Sequence, residues 1–210
     1  MKLNIIIVDD HTVVRKGLKQ ILADEMMNVQ TSEAGSAEEL LQKIRNQKFD
    51  LVITDISMPG RSGIDLIKQL HIDYPDLPVL ILSMHSETQY ALRAITAGAS
   101  GYLTKEMASH ELVRAVRQIL NGRKYISPML AELLADNASG RKVGTSYQAL
   151  SDREIEVLLR IARGRRVSEI AADLSLSINT INTYRARILE KLSLHNNAEL
   201  TRYAIDNNLE

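Results

Sequence analysis

The chain has 210 residues, enough for two modest domains, and 45% of them are hydrophobic, which supports packed cores and argues against global disorder. Lys plus Arg equals Asp plus Glu at 26 each, so a nucleic-acid partner has to be met by locally concentrated positive charge. The absence of cysteine excludes a disulfide framework and a cysteine-based zinc site, and no apolar run is long enough for a membrane span or a signal peptide, so a cytoplasmic protein is expected.

Up to about residue 125, short apolar runs alternate with helical patterns. Strands are predicted at Leu3–Val8, Val29–Ala34, Leu51–Asp55, Val79–Ser83 and Gly101–Thr104. The unbroken runs Ile5-Ile6-Ile7-Val8 and Val79-Leu80-Ile81-Leu82 suit central strands covered on both faces. Between the first two strands Val13, Val14, Gly17, Leu18, Ile21 and Leu22 recur at helical spacing. Ser36-x-x-Glu39 and Ser86-x-x-Gln89 fit the capping box that opens a helix. Five repeats of strand then helix predict a doubly wound, flavodoxin-like α/β domain with a five-stranded parallel sheet over residues 1–125.

Ser127–Asp136 reads as one more helix, and residues 137–146 have no apolar period and two glycines, so residues 126–148 are expected to be a linker, first helical and then flexible. Helices follow at Ser151–Arg163, Ser168–Leu174, Ser177–Leu192 and Asn196–Asn207, the first opened by a capping box at Ser151-x-x-Glu154. Residues 149–210 are therefore predicted to be a small all-α module of four helices with tight turns.

In a parallel α/β sheet, ligands bind beyond the carboxyl ends of the strands. Here the first strand ends in Asp9-Asp10, the third in Asp55 and the fourth in Ser83, and Lys105 follows the fifth. Carboxylates converging on one edge repel, so a cation must compensate; oxygen donors of this kind suit Mg²⁺. A carboxylate at such an edge can act as a nucleophile and accept a phosphoryl group. Asp55 is the best placed, with Lys105 to pair with the acyl phosphate and the Ser83 hydroxyl to bond one of its oxygens. Any one of these residues alone reads more simply as a polar strand end. All of them, at matching ends of different strands, make a site.

Asp9-Asp10 after a strand, Asp55-Ile-Ser-Met-Pro-Gly, Gly63, Ser83 and Lys105 together resemble the receiver domain of response regulators, over about residues 3–122. The resemblance implies that Asp55 is phosphorylated by a sensor histidine kinase. It implies that Asp9, Asp10, Asp55 and the backbone carbonyl of Ser57 bind Mg²⁺, and that Ser83 and Tyr102 form the switch. If Ser83 moves to the phosphoryl group, Tyr102 can enter the vacated space and shift the protein between two packings. Lys105 is followed by Glu106, where many receivers have proline. Pro59 and Gly60 read as shaping the loop after Asp55. Taken singly, Tyr102 reads equally as a half-buried edge aromatic, and His85 reads more readily as a solvated loop residue than as part of the site.

From Leu150 to Glu210, nine basic and nine acidic residues balance, yet Arg160–Arg166 carries four positive charges and no acid. Such concentration can track phosphates without a broadly basic protein. On the third predicted helix Ile178, Ile181, Ile188 and Leu192 can face a core, while Asn182, Thr183, Arg185 and Arg187 project elsewhere and could enter a major groove. Alone, this is a solvated polar face as readily as a DNA-reading one.

Leu150-Ser-Asp-Arg-Glu-Ile-Glu-Val-Leu, Ile161-Ala-Arg-Gly, Glu169-Ile-Ala and Ser177-x-x-Thr-Ile-x-Thr-Tyr-x-x-Arg-Ile-x-x-Lys-Leu resemble the LuxR-type helix-turn-helix of NarL/FixJ regulators, over about residues 149–207. The resemblance implies binding of double-stranded promoter DNA through Thr180, Asn182, Thr183, Arg185, Arg187 and Lys191. Asn182 stands where the family often has lysine, and Tyr184 where it often has histidine. Asparagine can read adenine bidentately, so a different target sequence is expected. The family also implies a homodimer when phosphorylated, formed through the last helix with Leu200, Tyr203 and Ala204, although these three read equally as intradomain core.

Phosphorylation-controlled DNA binding is thus the function expected, rather than enzymatic turnover. An aspartyl-phosphate phosphatase places a second acid two residues after its nucleophile, where this chain has Ser57. An RNA-reading sheet needs aromatic residues, and the chain has one Phe and no Trp.

Overall fold

A computed structural model of the chain describes residues 2–59, 62–85, 87–138, 146–207 and 209. It separates into two compact units, Met1–Ala135 and Asp136–Glu210.

In the first unit β1 (Leu3–Val8), β2 (Val29–Ala34), β3 (Leu51–Asp55), β4 (Val79–Ser83) and β5 (Gly101–Thr104) form one parallel sheet in the order β2-β1-β3-β4-β5. The crossovers are α1 (Thr12–Glu25), α2 (Ala37–Asn46), α3 (Gly63–Asp73) and α4 (Glu87–Thr96), and α5 (Ala108–Leu120) follows β5. Successive side chains of a strand point to opposite faces. Ile5 and Ile7 of β1, Ile53 of β3 and Leu80 and Leu82 of β4 accordingly join Leu18, Leu22, Leu112 and Val116 of α1 and α5 in one buried cluster. Ile6 and Ile81 alternate with them and are equally buried. Ile5–Val8 of β1 and all of β4 are buried, the condition that their unbroken apolar runs predicted, and β3 between them carries no exposed residue.

Register brings the site together. β1 pairs with β3 through Val8 and Thr54, so one further step sets Asp9 beside Asp55. β3 pairs with β4 through Asp55 and Leu82, and β4 with β5 through Ser83 and Thr104. All the chemistry-bearing strand ends therefore emerge along one edge.

Local signals account for the helix starts. Ser36 accepts from the backbone N–H of Glu39, while the Glu39 carboxylate reaches one residue further back, to the N–H of Gly35. α6 (Pro128–Ala138) opens with Pro128, and the Ser127 hydroxyl accepts from Leu130 N–H; it runs two residues beyond the predicted end. The proposed Ser86 cap, Gly60 and residues 139–145 of the expected flexible segment lie outside the described residues.

The second unit holds a short 3₁₀ turn (Ser146–Ala149), α7 (Asp152–Ala162), α8 (Val167–Asp173), α9 (Ile178–Leu192) and α10 (Asn197–Asp206). Ser151 and Glu154 form the full capping box expected of them. Gly164, at φ 75°, turns the chain between α7 and α8 in a left-handed conformation that costs glycine little. Ile155, Leu158, Ile170, Ile181, Ile188 and Leu200 are among the residues closing the core. Ile178 departs from the expected stripe. It sits in the first turn of α9 with 52% of its surface exposed, because the helix begins beyond the edge of that core.

Candidate functional site

Asp9 and Asp55 are buried, and both reach one ammonium group: Lys105 Nζ donates to Asp9 Oδ2 at 2.6 Å and to Asp55 Oδ2 at 2.7 Å. The other oxygen of Asp55 accepts from the backbone N–H of Ser57 at 3.1 Å, and Asp9 Oδ1 accepts from the N–H of His11 at 2.8 Å. Burial pushes the Asp55 carboxyl above the usual carboxylate range, and the nearby charge of Asp9 adds to this. Lys105 and the Ser57 N–H act in the opposite sense. Burial alone lowers the pKa of Lys105, but the charges and hydrogen bonds of Asp55 and Asp9 more than offset it and hold the ammonium protonated. One ammonium group thus serves both carboxyl groups.

Asp10 turns outward. Its carboxylate lies 3.0 Å from His11 Nδ1, and Asp9, Asp10 and His11 each offer a ligand atom within 4.8 Å of one another. Arg15 reaches back from α1 to the carbonyl of Asp9 at 2.6 Å and fixes the strand end. Hard oxygen donors from two adjacent acids beside a third suit Mg²⁺, so the donor set fits the ion expected here.

Ser83 and Tyr102 meet through a residue that the sequence reading undervalued. The Ser83 hydroxyl accepts from the His85 N–H at 3.0 Å, and the Tyr102 hydroxyl donates to the His85 carbonyl at 2.9 Å. His85 is buried rather than solvated, and its Nε2 lies 3.1 Å from Ser57 Oγ. Tyr102 is fully buried rather than half-buried, because it lies inside the unit under the loop after β4. His85 thus links the loop after Asp55 to both switch residues, with its ring 4.9 Å from that of Tyr90. No sequence signal singled it out beyond its place two residues after Ser83.

In the second unit the expected DNA contacts divide. Asn182, Thr183 and Arg187 are exposed on α9, and Thr180 and Arg185 are half-buried. Thr180 Oγ1 is tied to the cap residue Ser177 at 2.8 Å, and Thr183 Oγ1 donates to the Asn179 carbonyl at 2.9 Å. Arg185 donates to Asn197 of α10. Lys191 donates to the buried Glu154 carboxylate at 2.7 Å, so its charge is largely spent within the module. Leu200 and Ala204 are fully buried and Tyr203 is half-buried. Leu200 and Ala204 are core here rather than an open dimer face, because that side of α10 packs on α7.

Residues 5–117 match the family described as response regulator receiver domain, and residues 148–204 match bacterial regulatory proteins of the luxR family. The response regulator UvrY of Escherichia coli K12 is 35% identical over 208 residues, covering 99% of this chain and 95% of that protein. The response regulator GacA of Pseudomonas aeruginosa is 38% identical over 205 residues, covering 97% and 95%. Among solved structures, RcsB of Salmonella enterica serovar Typhimurium, bound to promoter rprA in the presence of the phosphomimetic BeF₃⁻, matches with TM-score 0.66 at 28% identity, covering 97% of this chain and 98% of that one. The chain belongs to the NarL/FixJ family of two-component response regulators, in which a receiver domain is followed by a LuxR-type helix-turn-helix.

Proposed function

We propose that Asp55 accepts a phosphoryl group from a sensor histidine kinase, and that this switches dimerisation and promoter binding to control transcription. The observation that carries the reading is the single, part-buried ammonium of Lys105 shared by buried Asp9 and Asp55. It holds an Asp55 oxygen at the open strand edge and stands ready to pair with a phosphoryl oxygen. In the transfer, an Asp55 carboxylate oxygen bonds to phosphorus as the P–N bond of the phosphohistidine breaks and its electron pair leaves with the imidazole. Asp9, Asp10, Asp55 and the Ser57 carbonyl would hold Mg²⁺, which when bound neutralises charge on the phosphoryl oxygens.

The response follows from the hydrogen bonds of the loop after β4. A Ser83 hydroxyl that turns to the phosphoryl group gives up the His85 N–H, and the His85 carbonyl is the acceptor that holds Tyr102. Phosphorylation therefore biases two packings of one buried set rather than building a new fold. The readout is α9, entering double-stranded DNA with Thr180, Asn182, Thr183, Arg185, Arg187 and Lys191 at or near the interface, Lys191 mainly as a brace. The chain acts as a cytoplasmic regulator and not as a turnover enzyme; no described helix is long and apolar enough to cross a membrane. Full-length protein incubated with acetyl phosphate and Mg²⁺ should gain one phosphoryl group by intact mass, and Asp55→Asn should gain none. Equal modification of the variant would refute the assignment.

A further inference from the structure

We propose that α9 reads an A·T-centred half-site, with Asn182 on an adenine and Ile178 on a thymine methyl. The inference rests on the DNA-binding reading above and specifies its target. Within α9 the module itself uses four of the polar side chains. The hydroxyls of Thr180 and Thr183 bond to Ser177 and to the backbone of Asn179, Arg185 is held by Asn197, and Lys191 by Glu154. Among the described residues, the side chains of Asn179, Asn182, Tyr184, Arg187 and Glu190 form no such bond. Of the two asparagines, both toward the N-terminal end that meets base edges in helix-turn-helix proteins, Asn182 is the one that shares a face with an exposed apolar residue.

The exposed residue one turn before it is the second observation. Ile178 and Asn182 are four apart and share a face, and Ile178 presents 52% of its surface to solvent in an otherwise polar stretch. A β-branched alkyl group there offers nothing to a phosphate or to the edge of a G·C pair, but it suits the C5 methyl of thymine. The amide of Asn182 matches the N6 and N7 pattern of adenine. Four residues of helix rise about 6 Å, and successive base pairs are about 3.4 Å apart, so the two contacts fall one to two base pairs from each other.

The test is selection from a randomised duplex library by the full chain, with and without acetyl phosphate and Mg²⁺, followed by affinity measurement on the selected site. The wild type should enrich A·T pairs one to two steps apart. Asn182→Ala, at an exposed helical position where alanine is favoured, should fold and lose about tenfold or more of the preference at one A·T position, leaving the others in place. Asn182→Lys should move that position toward G·C. Ile178→Ala should lower the preference for thymine over uracil at the neighbouring pair. A wild type that enriches a defined site, with Asn182→Ala keeping every positional preference, overturns this inference and leaves DNA binding standing. A wild type that enriches nothing in either state overturns both.

Discussion

At position 63 glycine is required by a backbone contact. A Cβ there would lie 2.4 Å from the carbonyl oxygen and 2.6 Å from the Cα of Ile56, in the loop that follows Asp55, and backbone cannot step aside as a flexible side chain can. Gly63→Ala should therefore destabilise the receiver by about 1–3 kcal/mol, read as a lower denaturant midpoint, and should also slow phosphorylation by displacing that loop. Lys105 poses the opposite problem. Without it, buried Asp9 and Asp55 face each other uncompensated, so Lys105→Met should cost about 3 kcal/mol or more, and adding Asp9→Asn should recover part of that loss. A double variant no more stable than the single one would show that Asp9 is not what Lys105 neutralises. Asp9, Asp55, Ser83 and Lys105 were legible in the sequence because strand ends can be counted from apolar runs. His85 and Ile178 were not, since burial of one and exposure of the other depend on which neighbours the tertiary fold supplies.

α7 carries two buried acids with opposite titration behaviour. Burial raises Glu154, but Lys191 and the N–H and hydroxyl of Ser151 outweigh it and hold the carboxyl below its ordinary range. Burial also raises Glu156, and there Arg153 does not fully compensate, so its carboxyl stays above that range. The depressed group contributes stability that is present above its unfolded pKa of about 4.3 and lost as pH falls through the folded value. The raised group contributes stability that is present below about 4.3 and lost as pH rises through its folded value. Glu154→Gln should therefore lower the melting temperature of the helical module at neutral pH and flatten its acid limb. Glu156→Gln should flatten the limb above pH 4.3 instead. Thermal melts across pH 3 to 8 separate the two, and identical profiles would refute the assignment. The Ser151-x-x-Glu154 cap could be read from four adjacent residues, whereas the Lys191 partner, 37 positions away, could not. That distance explains why Lys191 reads in sequence as a DNA contact and in structure as a brace.

For the whole molecule, the open question is how an event at Asp55 changes occupancy of DNA, and the two units divide the problem. Reversing a 1:99 equilibrium needs about 5.5 kcal/mol of differential interaction, more than one rearranged hydrogen bond supplies. The proposed assembly of two chains on adjacent half-sites would add the missing selectivity, because the second contact becomes intramolecular. The face expected to join them has to be redrawn, since Leu200 and Ala204 are interior to the module. What α10 does present is Ile205, 49% exposed, with Arg202 beside it. Such a small apolar surface suits a contact made only on DNA or after phosphorylation rather than a permanent dimer. Ile205→Lys should leave the melting temperature within about 2 °C of wild type, because the side chain is already exposed. It should lower affinity for a two-half-site promoter at least tenfold while leaving single half-site binding unchanged. Leu200→Ala should instead unfold the module, at a cost of about 2–5 kcal/mol, and reduce binding to both probes alike. Gel-shift titrations on the two probes, with sedimentation of the phosphorylated chain, distinguish these outcomes. An Ile205→Lys protein that keeps full affinity for the paired site would place the dimer contact elsewhere than α10.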